Sequence, residues 1–117
     1  MNLYEHTIIA RQDTSPSEIK QLIEKYSKIV VKSEGEIVKT ESWGLLNLSY
    51  LIKKNKKGSY IHFKIKGKGN VIDELEKNEA IDKKLLRYLT VKVKKFDLNI
   101  NYFGKNDDNE KKESSKN

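Results

Sequence analysis

Residues 60–66 alternate strictly between two kinds of side chain, and this pattern constrains the fold more than any other segment. One parity is apolar and holds Ile61, Phe63 and Ile65. The other parity is polar or amphipathic and holds Tyr60, His62, Lys64 and Lys66. A period of two is typical of a β-strand with one buried face and one solvated face. We therefore expect a sheet with a core on one side and a wet, basic surface on the other.

A helix is predicted to begin after Ser15. Ser15 can cap the helix, Pro16 suits the first helical position, and Glu18 can reach back to the capping amide. Apolar residues then recur at three- and four-residue spacings over about three turns: Ile19, Leu22, Ile23, Tyr26, Ile29 and Val30. Gly35 is placed to end this helix or to turn the chain soon after it.

Three further strands and a second helix complete the pattern. Strands are predicted over residues 3–10, 36–52, 60–66 and 86–95, with a bend at Gly44 and a hairpin loop over residues 53–59. Asn70 can cap the second helix, whose inner face would hold Val71, Ile72 and Leu75. The order predicts an α+β, ferredoxin-like β-α-β-β-α-β sandwich, with a four-stranded antiparallel sheet and both helices on one face.

The length of 117 residues leaves room for one domain. We assign residues 1–96 to it and residues 97–117 to a polar tail, which we expect to be disordered beyond about residue 103.

The chain has no cysteine and two histidines, so we expect no disulfide, metal or cofactor, and we interpret His6 as structural. No apolar run is long enough to span a membrane and no signal peptide is evident, which predicts a cytoplasmic protein.

The basic charge is concentrated in residues 42–72, which contain no acidic residue and seven lysines. The formal net charge of the whole chain is +7, so this segment accounts for the surplus. A basic block interleaved with aromatic residues indicates a polyanionic partner, and nucleic acid is the commonest one. The chain has 22 lysines and two arginines, a balance that suits contact with phosphates better than reading of bases. AT-rich codon usage would produce the same excess, so composition leaves both explanations open.

The candidate RNA-binding residues lie in the hairpin and the last strand: Lys53, Lys54, Lys56, Lys57, Arg87, Lys92 and Lys94. A lysine-rich hairpin tip can also serve only to keep a protein soluble. Arg87 allows two interpretations as well. It can bind phosphate or a carboxylate with two hydrogen bonds, or it can close the edge of the core, because it shares parity with Leu89 and Val91.

The candidate residues for contact with a protein partner are Trp43, Leu45, Leu46, Tyr60 and His62. Trp43 stands beside a glycine on a predicted edge strand, where it can anchor a partner, although a tryptophan can equally belong to the core. Tyr60 and His62 can stack on bases, or they can be ordinary surface residues of a strand.

Several short segments between residues 2 and 95 resemble the bacterial small-subunit ribosomal protein six family. The matching segments are Tyr4-Glu5, 34–37, Trp43-Gly44, 48–54, 58–60 and 86–89. The resemblance implies a structural component of the cytoplasmic small ribosomal subunit that is not an enzyme. It also implies binding to the central domain of the small-subunit ribosomal RNA, together with ribosomal protein eighteen.

The chain departs from the family pattern at two places. Leu45 and Leu46 stand where the family has basic residues after the Trp-Gly pair, and Leu51 stands where it has proline. We hypothesise that the leucine pair replaces charged contact with the partner protein by apolar burial.

Two other functions fit the predicted fold. A free-standing RNA-binding regulator would carry the same basic surface. A small hydrolase such as an acylphosphatase shares the topology, but its phosphate loop resembles a glycine-rich segment with an arginine. Here Arg11 is followed by Gln12, Asp13 and Thr14, without glycine.

Overall fold

The strands and helices follow the predicted order. The computed structural model describes residues 1–96 and contains β1 (Asn2–Arg11), α1 (Pro16–Lys32), β2 (Glu36–Ile52), β3 (Asn55–Gly67), α2 (Gly69–Glu79) and β4 (Leu85–Val93). The predicted polar tail and its disorder beyond residue 103 lie outside the described residues. Within residues 1–96, neither helix is both long enough and apolar enough to cross a membrane.

The sheet has the strand order β2-β3-β1-β4, and all three pairings are antiparallel. β1 lies at the centre, so that Ile8 pairs with Ile61 on one side and with Tyr88 on the other. Both helices cover one face, which confirms the ferredoxin-like fold. Between the sheet and the helices lies one cluster of buried residues: Tyr4, Ile8, Ala10, Leu22, Tyr26, Val30, Ile61, Phe63, Ile65, Val71, Ile72, Leu75 and Leu85.

The start of α1 is a complete capping box, as the sequence predicts. The Glu18 N–H donates to Ser15 Oγ at 3.2 Å, and the Ser15 N–H donates to Glu18 Oε1 at 2.9 Å. At the other end, Glu34 rather than Gly35 takes the left-handed conformation, with φ of 66°. Gly35 serves close packing instead, because a Cβ there would lie 3.0 Å from Val30 Cγ1.

Three predicted boundaries are wrong. The hairpin loop spans two residues rather than seven, because β3 already begins at Asn55. Asn70 does not cap α2, which begins at Gly69 and has Lys68 at the cap without a side-chain hydrogen bond. Burial of Val71 and Ile72 against the sheet positions this helix instead. At β4, the strand spans residues 85–93 rather than 86–95.

A buried polar network fastens α2 to the inner side of the sheet. His6 is fully buried on β1, and its Nε2 lies 2.6 Å from Glu79 Oε2 on α2. His6 Nδ1 lies 2.6 Å from Thr90 Oγ1 on β4, and that hydroxyl donates to Glu76 Oε2 at 3.1 Å. The structural interpretation of His6 is therefore confirmed. Burial raises the pKa of Glu79, although the bond to His6 opposes the rise.

Acid stability depends on the capping box. The Ser15 N–H and the Lys84 ammonium, 3.1 Å away, lower the pKa of Glu18 from 4.5 to about 2. A lowered folded-state pKa stabilises the fold above the unfolded value of 4.5, and this contribution disappears as the pH falls toward 2. Glu18→Gln keeps an acceptor for Ser15 but does not titrate. We expect this variant to lose less stability than the wild type over that range in urea unfolding at stepped pH. If the free energy of unfolding fell equally with pH in Glu18→Gln and in the wild type, the prediction would be wrong.

Removal of the carboxylate at the network should destabilise the fold. Glu79→Ala leaves His6 Nε2 buried without its partner, and we expect the free energy of unfolding to fall by about 3 kcal/mol. Glu76→Ala is the matched control, because Glu76 is half-buried and bonds only the Thr90 hydroxyl within the described residues. Urea unfolding at neutral pH measures both variants. An equal loss in the control would show that the His6 contact carries no special stability.

Candidate nucleic-acid interface

The β2–β3 hairpin extends past the end of β1. The last residue of β1, Arg11, pairs with Gly58, so residues 55–57 of β3 have β2 as their strand partner. A β-bulge at Gly44, with φ of 84°, bends β2 before this extension. Gly58 is needed where the extension leaves the sheet, because a Cβ there would collide with Ile9 Cγ2. The hairpin tip therefore projects beyond the core.

Four of the predicted RNA-binding residues come together at this tip. We call them the hairpin lysines: Lys53, Lys54, Lys56 and Lys57. All four side chains are exposed, and within residues 1–96 none of their ammonium groups forms an ion pair. Four unneutralised positive charges on one turn and its flanks form a local positive field, which attracts phosphates.

Arg87 points toward the hairpin rather than toward the core. Its Nη2 donates to Tyr50 Oη at 2.8 Å, and the guanidinium carbon lies 5.5 Å from the centroid of the Tyr50 ring. The alternative interpretation, in which Arg87 closes the edge of the core, is therefore wrong. Its strand neighbours Leu89 and Val91 are 64% and 49% exposed, so this parity of β4 faces away from the helices.

The remaining candidates, Lys92 and Lys94, do not join the hairpin lysines. Lys92 pairs with Tyr4, whereas Arg87 pairs with Ile9. Five residues, or roughly 17 Å, therefore separate Lys92 from Arg87 along β4. Lys94 follows the strand and is exposed. The seven candidates divide into a group near the hairpin and a pair at the other end of the sheet.

The sheet face opposite the helices, called the open face here, is less wet than the sequence predicts. His62 is 4% exposed and Lys64 is fully buried. Lys64 Nζ lies 3.5 Å from Glu5 Oε2 on β1, and the Phe96 ring centroid lies 6.0 Å from it. A carboxylate and a ring cover this lysine, so the expectation of a solvated strand face is wrong for these two residues. Burial, with the nearby Lys64 charge, lowers the pKa of His62.

Three of the predicted partner-contact residues form one aromatic row on the open face. The Trp43 ring stacks on His62 at 4.8 Å and lies 6.3 Å from the Tyr60 ring. The indole N–H donates to Glu41 Oε1 at 2.7 Å, which fixes the orientation of the ring. Trp43 and Tyr60 are half-buried and His62 is covered, so base stacking directly on His62 is not available in this conformation. Partner contact through this row stays a prediction.

The leucine pair does not form one patch. Leu45 pairs with Ser59 and Leu46 with Gly58, so the two side chains point to opposite faces of the hairpin. Leu45 is exposed, with 49% of its surface accessible, whereas Leu46 is less exposed. The two leucines would therefore contact a partner from different sides of the hairpin, and apolar burial of the pair stays a prediction.

Sequence reasoning missed Asn55 and Gln12, which join the hairpin to the loop between β1 and α1. The Gln12 N–H donates to Asn55 Oδ1 at 3.0 Å, although 43 positions separate the two residues. No local sequence pattern indicates such a bond.

Within the described part of the chain, no group of three or more His, Asp or Glu side chains is arranged to hold a metal ion.

Comparison with known proteins identifies the family. The family model described as Ribosomal protein S6 matches residues 3–92. The small ribosomal subunit protein bS6 of Pelagibacter ubique is 76% identical over 116 residues, which cover 99% of this chain and 96% of that protein. The bS6 protein of Caulobacter vibrioides is 40% identical over 100 residues, which cover 86% of this chain and 79% of that protein.

A solved structure agrees with these relatives. The crystal structure of 30S ribosomal protein S6 from Thermotoga maritima matches with a TM-score of 0.75 and 27% identity, covering 79% of this chain and 87% of that one. The family resemblance of the sequence motifs is thus confirmed. The chain belongs to the ribosomal protein S6 family and, as a member, is a protein of the cytoplasmic small ribosomal subunit of bacteria.

Proposed function

We propose that this chain is a scaffold that binds small-subunit ribosomal RNA with its hairpin tip and docks ribosomal protein eighteen on its sheet. The observation that carries the RNA proposal is the cluster of hairpin lysines, exposed and without ion pairs among the described residues. Family membership favours this function over a free-standing regulator. The central domain of the RNA is the site that the family resemblance implies.

The chemistry of the tip suits contact with a phosphate backbone. Each lysine is a point charge on a flexible stem, without the two-pronged geometry that reads a guanine. Contacts of this kind position a protein on RNA, and they depend strongly on salt because they release counterions. Arg87 adds a planar donor beside the hairpin, held there by Tyr50. Lys92 and Lys94 would reach a second part of the RNA, at the far end of β4.

The sheet offers apolar surface for a protein partner. Leu89 and Val91 on β4 lie on the open face and are each about half exposed or more. Leu45 is 49% exposed on the other side of the hairpin, because it pairs with Ser59. Trp43 and Tyr60 add half-buried rings whose orientation is fixed by stacking. Exposed apolar and aromatic groups on a rigid strand are the usual anchors of a protein interface.

A scaffold, rather than an enzyme, fits the loop between β1 and α1. In the alternative acylphosphatase function this loop would hold phosphate with its backbone N–H groups. Here the Gln12 N–H donates to Asn55, and the Thr14 N–H donates to the Arg11 carbonyl at 3.1 Å. Two of the amides that an anion would need are therefore already committed within the protein.

Replacement of the hairpin lysines should reduce the salt dependence of RNA binding. We expect Lys53, Lys54, Lys56 and Lys57, all changed to Gln, to lower the slope of log affinity against log salt by about 3. The reason is that each lysine on a phosphate releases about one counterion. Titration of a central-domain fragment of the small-subunit ribosomal RNA at four salt concentrations measures the slope.

A matched variant changes the same number of charges elsewhere. Lys20, Lys28, Lys77 and Lys83 are exposed and lie on the helices or in the connection after α2. Their replacement by Gln alters the net charge equally, and we expect it to leave most of the slope in place. A hairpin variant with the wild-type slope, or two variants with equal slopes, would refute the RNA proposal.

Leu45→Lys should weaken docking of ribosomal protein eighteen. The exposed leucine would be replaced by a charge that has to be desolvated in the interface, and we expect about a tenfold loss of affinity. Ile81→Lys, in the connection after α2, is the matched control because Ile81 is 79% exposed and lies away from the hairpin. Calorimetric titration with the purified partner measures both. An unchanged or higher affinity for Leu45→Lys would contradict apolar burial at this position.

A further inference from the structure

The hairpin turn adopts a backbone conformation that its own residues disfavour. Lys53 and Lys54 have φ of 48° and 68°, so both are left-handed. A two-residue turn of this kind is usually formed by Asn-Gly or Gly-Gly, because a Cβ strains the left-handed conformation. Lysine offers no short polar side chain to compensate. Something outside the two turn residues must therefore hold the turn in place.

The side chain of Asn55 holds the turn from inside the hairpin. Asn55 is 3% exposed, and its Nδ2 donates to the Lys53 carbonyl at 2.9 Å and to the Ile52 carbonyl at 3.3 Å. Its Oδ1 accepts the Gln12 N–H at 3.0 Å. The amide thus satisfies two carbonyls of the turn and fastens them to the neighbouring loop.

The side chain of Gln12 also bonds the hairpin. Its Oε1 accepts the N–H of Lys56 at 3.2 Å and the N–H of Lys57 at 3.3 Å. The backbone of Gln12 bonds the side chain of Asn55, and the side chain of Gln12 bonds the backbone that follows Asn55. We call this reciprocal pair the latch. It joins residues more than 40 positions apart, at the point where β1 no longer supports the hairpin.

We propose that Asn55 and Gln12 are positioning residues for RNA binding, because the latch holds the hairpin lysines in one arrangement before RNA arrives. This inference rests on the proposed RNA function of the tip. Four like charges within five positions repel one another, so a loose tip would spread them. A fixed tip presents them together and loses less conformational freedom when a phosphate backbone binds.

The first experiment tests the latch in the free protein. In Gln12→Ala the amides of Lys56 and Lys57 lose their acceptor, and we expect their hydrogen exchange, followed by NMR, to become about tenfold faster. Gln12 is exposed, so this variant should keep the fold even if the buried change Asn55→Ala disturbs it. Asn47→Ala is the matched control, because Asn47 is an exposed asparagine of the same hairpin, paired with Lys57. Equal exchange rates in the Gln12 variant and the wild type would overturn the latch.

The second experiment separates positioning from charge. Gln12→Ala and Asn55→Ala keep all four lysines, so we expect about 3- to 10-fold weaker binding to the central-domain RNA fragment at every salt concentration, with an unchanged slope. Replacement of the lysines by Gln should instead lower the slope. Wild-type affinity in both latch variants, or an equal loss in Asn47→Ala, would refute positioning while leaving the RNA function intact. A wild-type slope in the lysine variant would refute the RNA function itself.

Discussion

β1 determines the layout of the molecule, because it pairs with β3 along its whole length on one side and with β4 on the other. Its inward residues, such as Ile8, lie between the strands and the two helices and are fully buried. β2 pairs only with β3 in the described sheet, so the β2–β3 hairpin is free to continue past Arg11. The lysines therefore lie outside the core as a direct result of where β1 ends. The latch at Asn55 and Gln12 supplies the support that β1 no longer gives.

The centre of the sheet contains buried polar groups on both of its faces. On the helix side, His6 links β1 to Glu79 on α2 and to Thr90 on β4. Because the Thr90 hydroxyl donates to Glu76, it accepts from His6 Nδ1. On the open face, Glu5 pairs with the buried Lys64. Buried groups of this kind need fixed partners, so they specify how α2 and the strands are arranged as well as how stable they are.

The parts of the fold that the sequence predicts well depend on neighbours in the chain. The start of α1 is one example, since Ser15 and Glu18 bond each other three positions apart. The inward parity of β3 is another, because Ile61, Phe63 and Ile65 all lie in the core. The hairpin lysines come together because they are adjacent in sequence, and their role in RNA binding stays a prediction.

The errors arise where a distant residue decides the outcome. Lys64 is buried because Glu5, its partner on β1, lies 59 positions away. On β4, Thr90 faces the helices because it contacts the buried His6. The next side chain along the strand, Leu89, therefore points outward, although leucine is more apolar than threonine. The predicted loop over residues 53–59 fails for a similar reason. The Asn55 side-chain amide bonds two carbonyls of the turn, and its Oδ1 accepts the N–H of Gln12, which lies 43 positions away in the chain.

The acid-free segment over residues 42–72 is therefore not one basic surface. Its seven lysines divide into the four at the hairpin tip, the buried Lys64 in the middle of the sheet, and the exposed Lys66 and Lys68 at the opposite end of β3. Nine residues, or roughly 30 Å, separate Lys57 from Lys66 along the strand, which is several Debye lengths at physiological salt. A phosphate at the tip would therefore interact with the hairpin lysines and hardly at all with the others. The strength of binding at the tip then depends on how closely those four charges are held together, and this is the property that the latch controls.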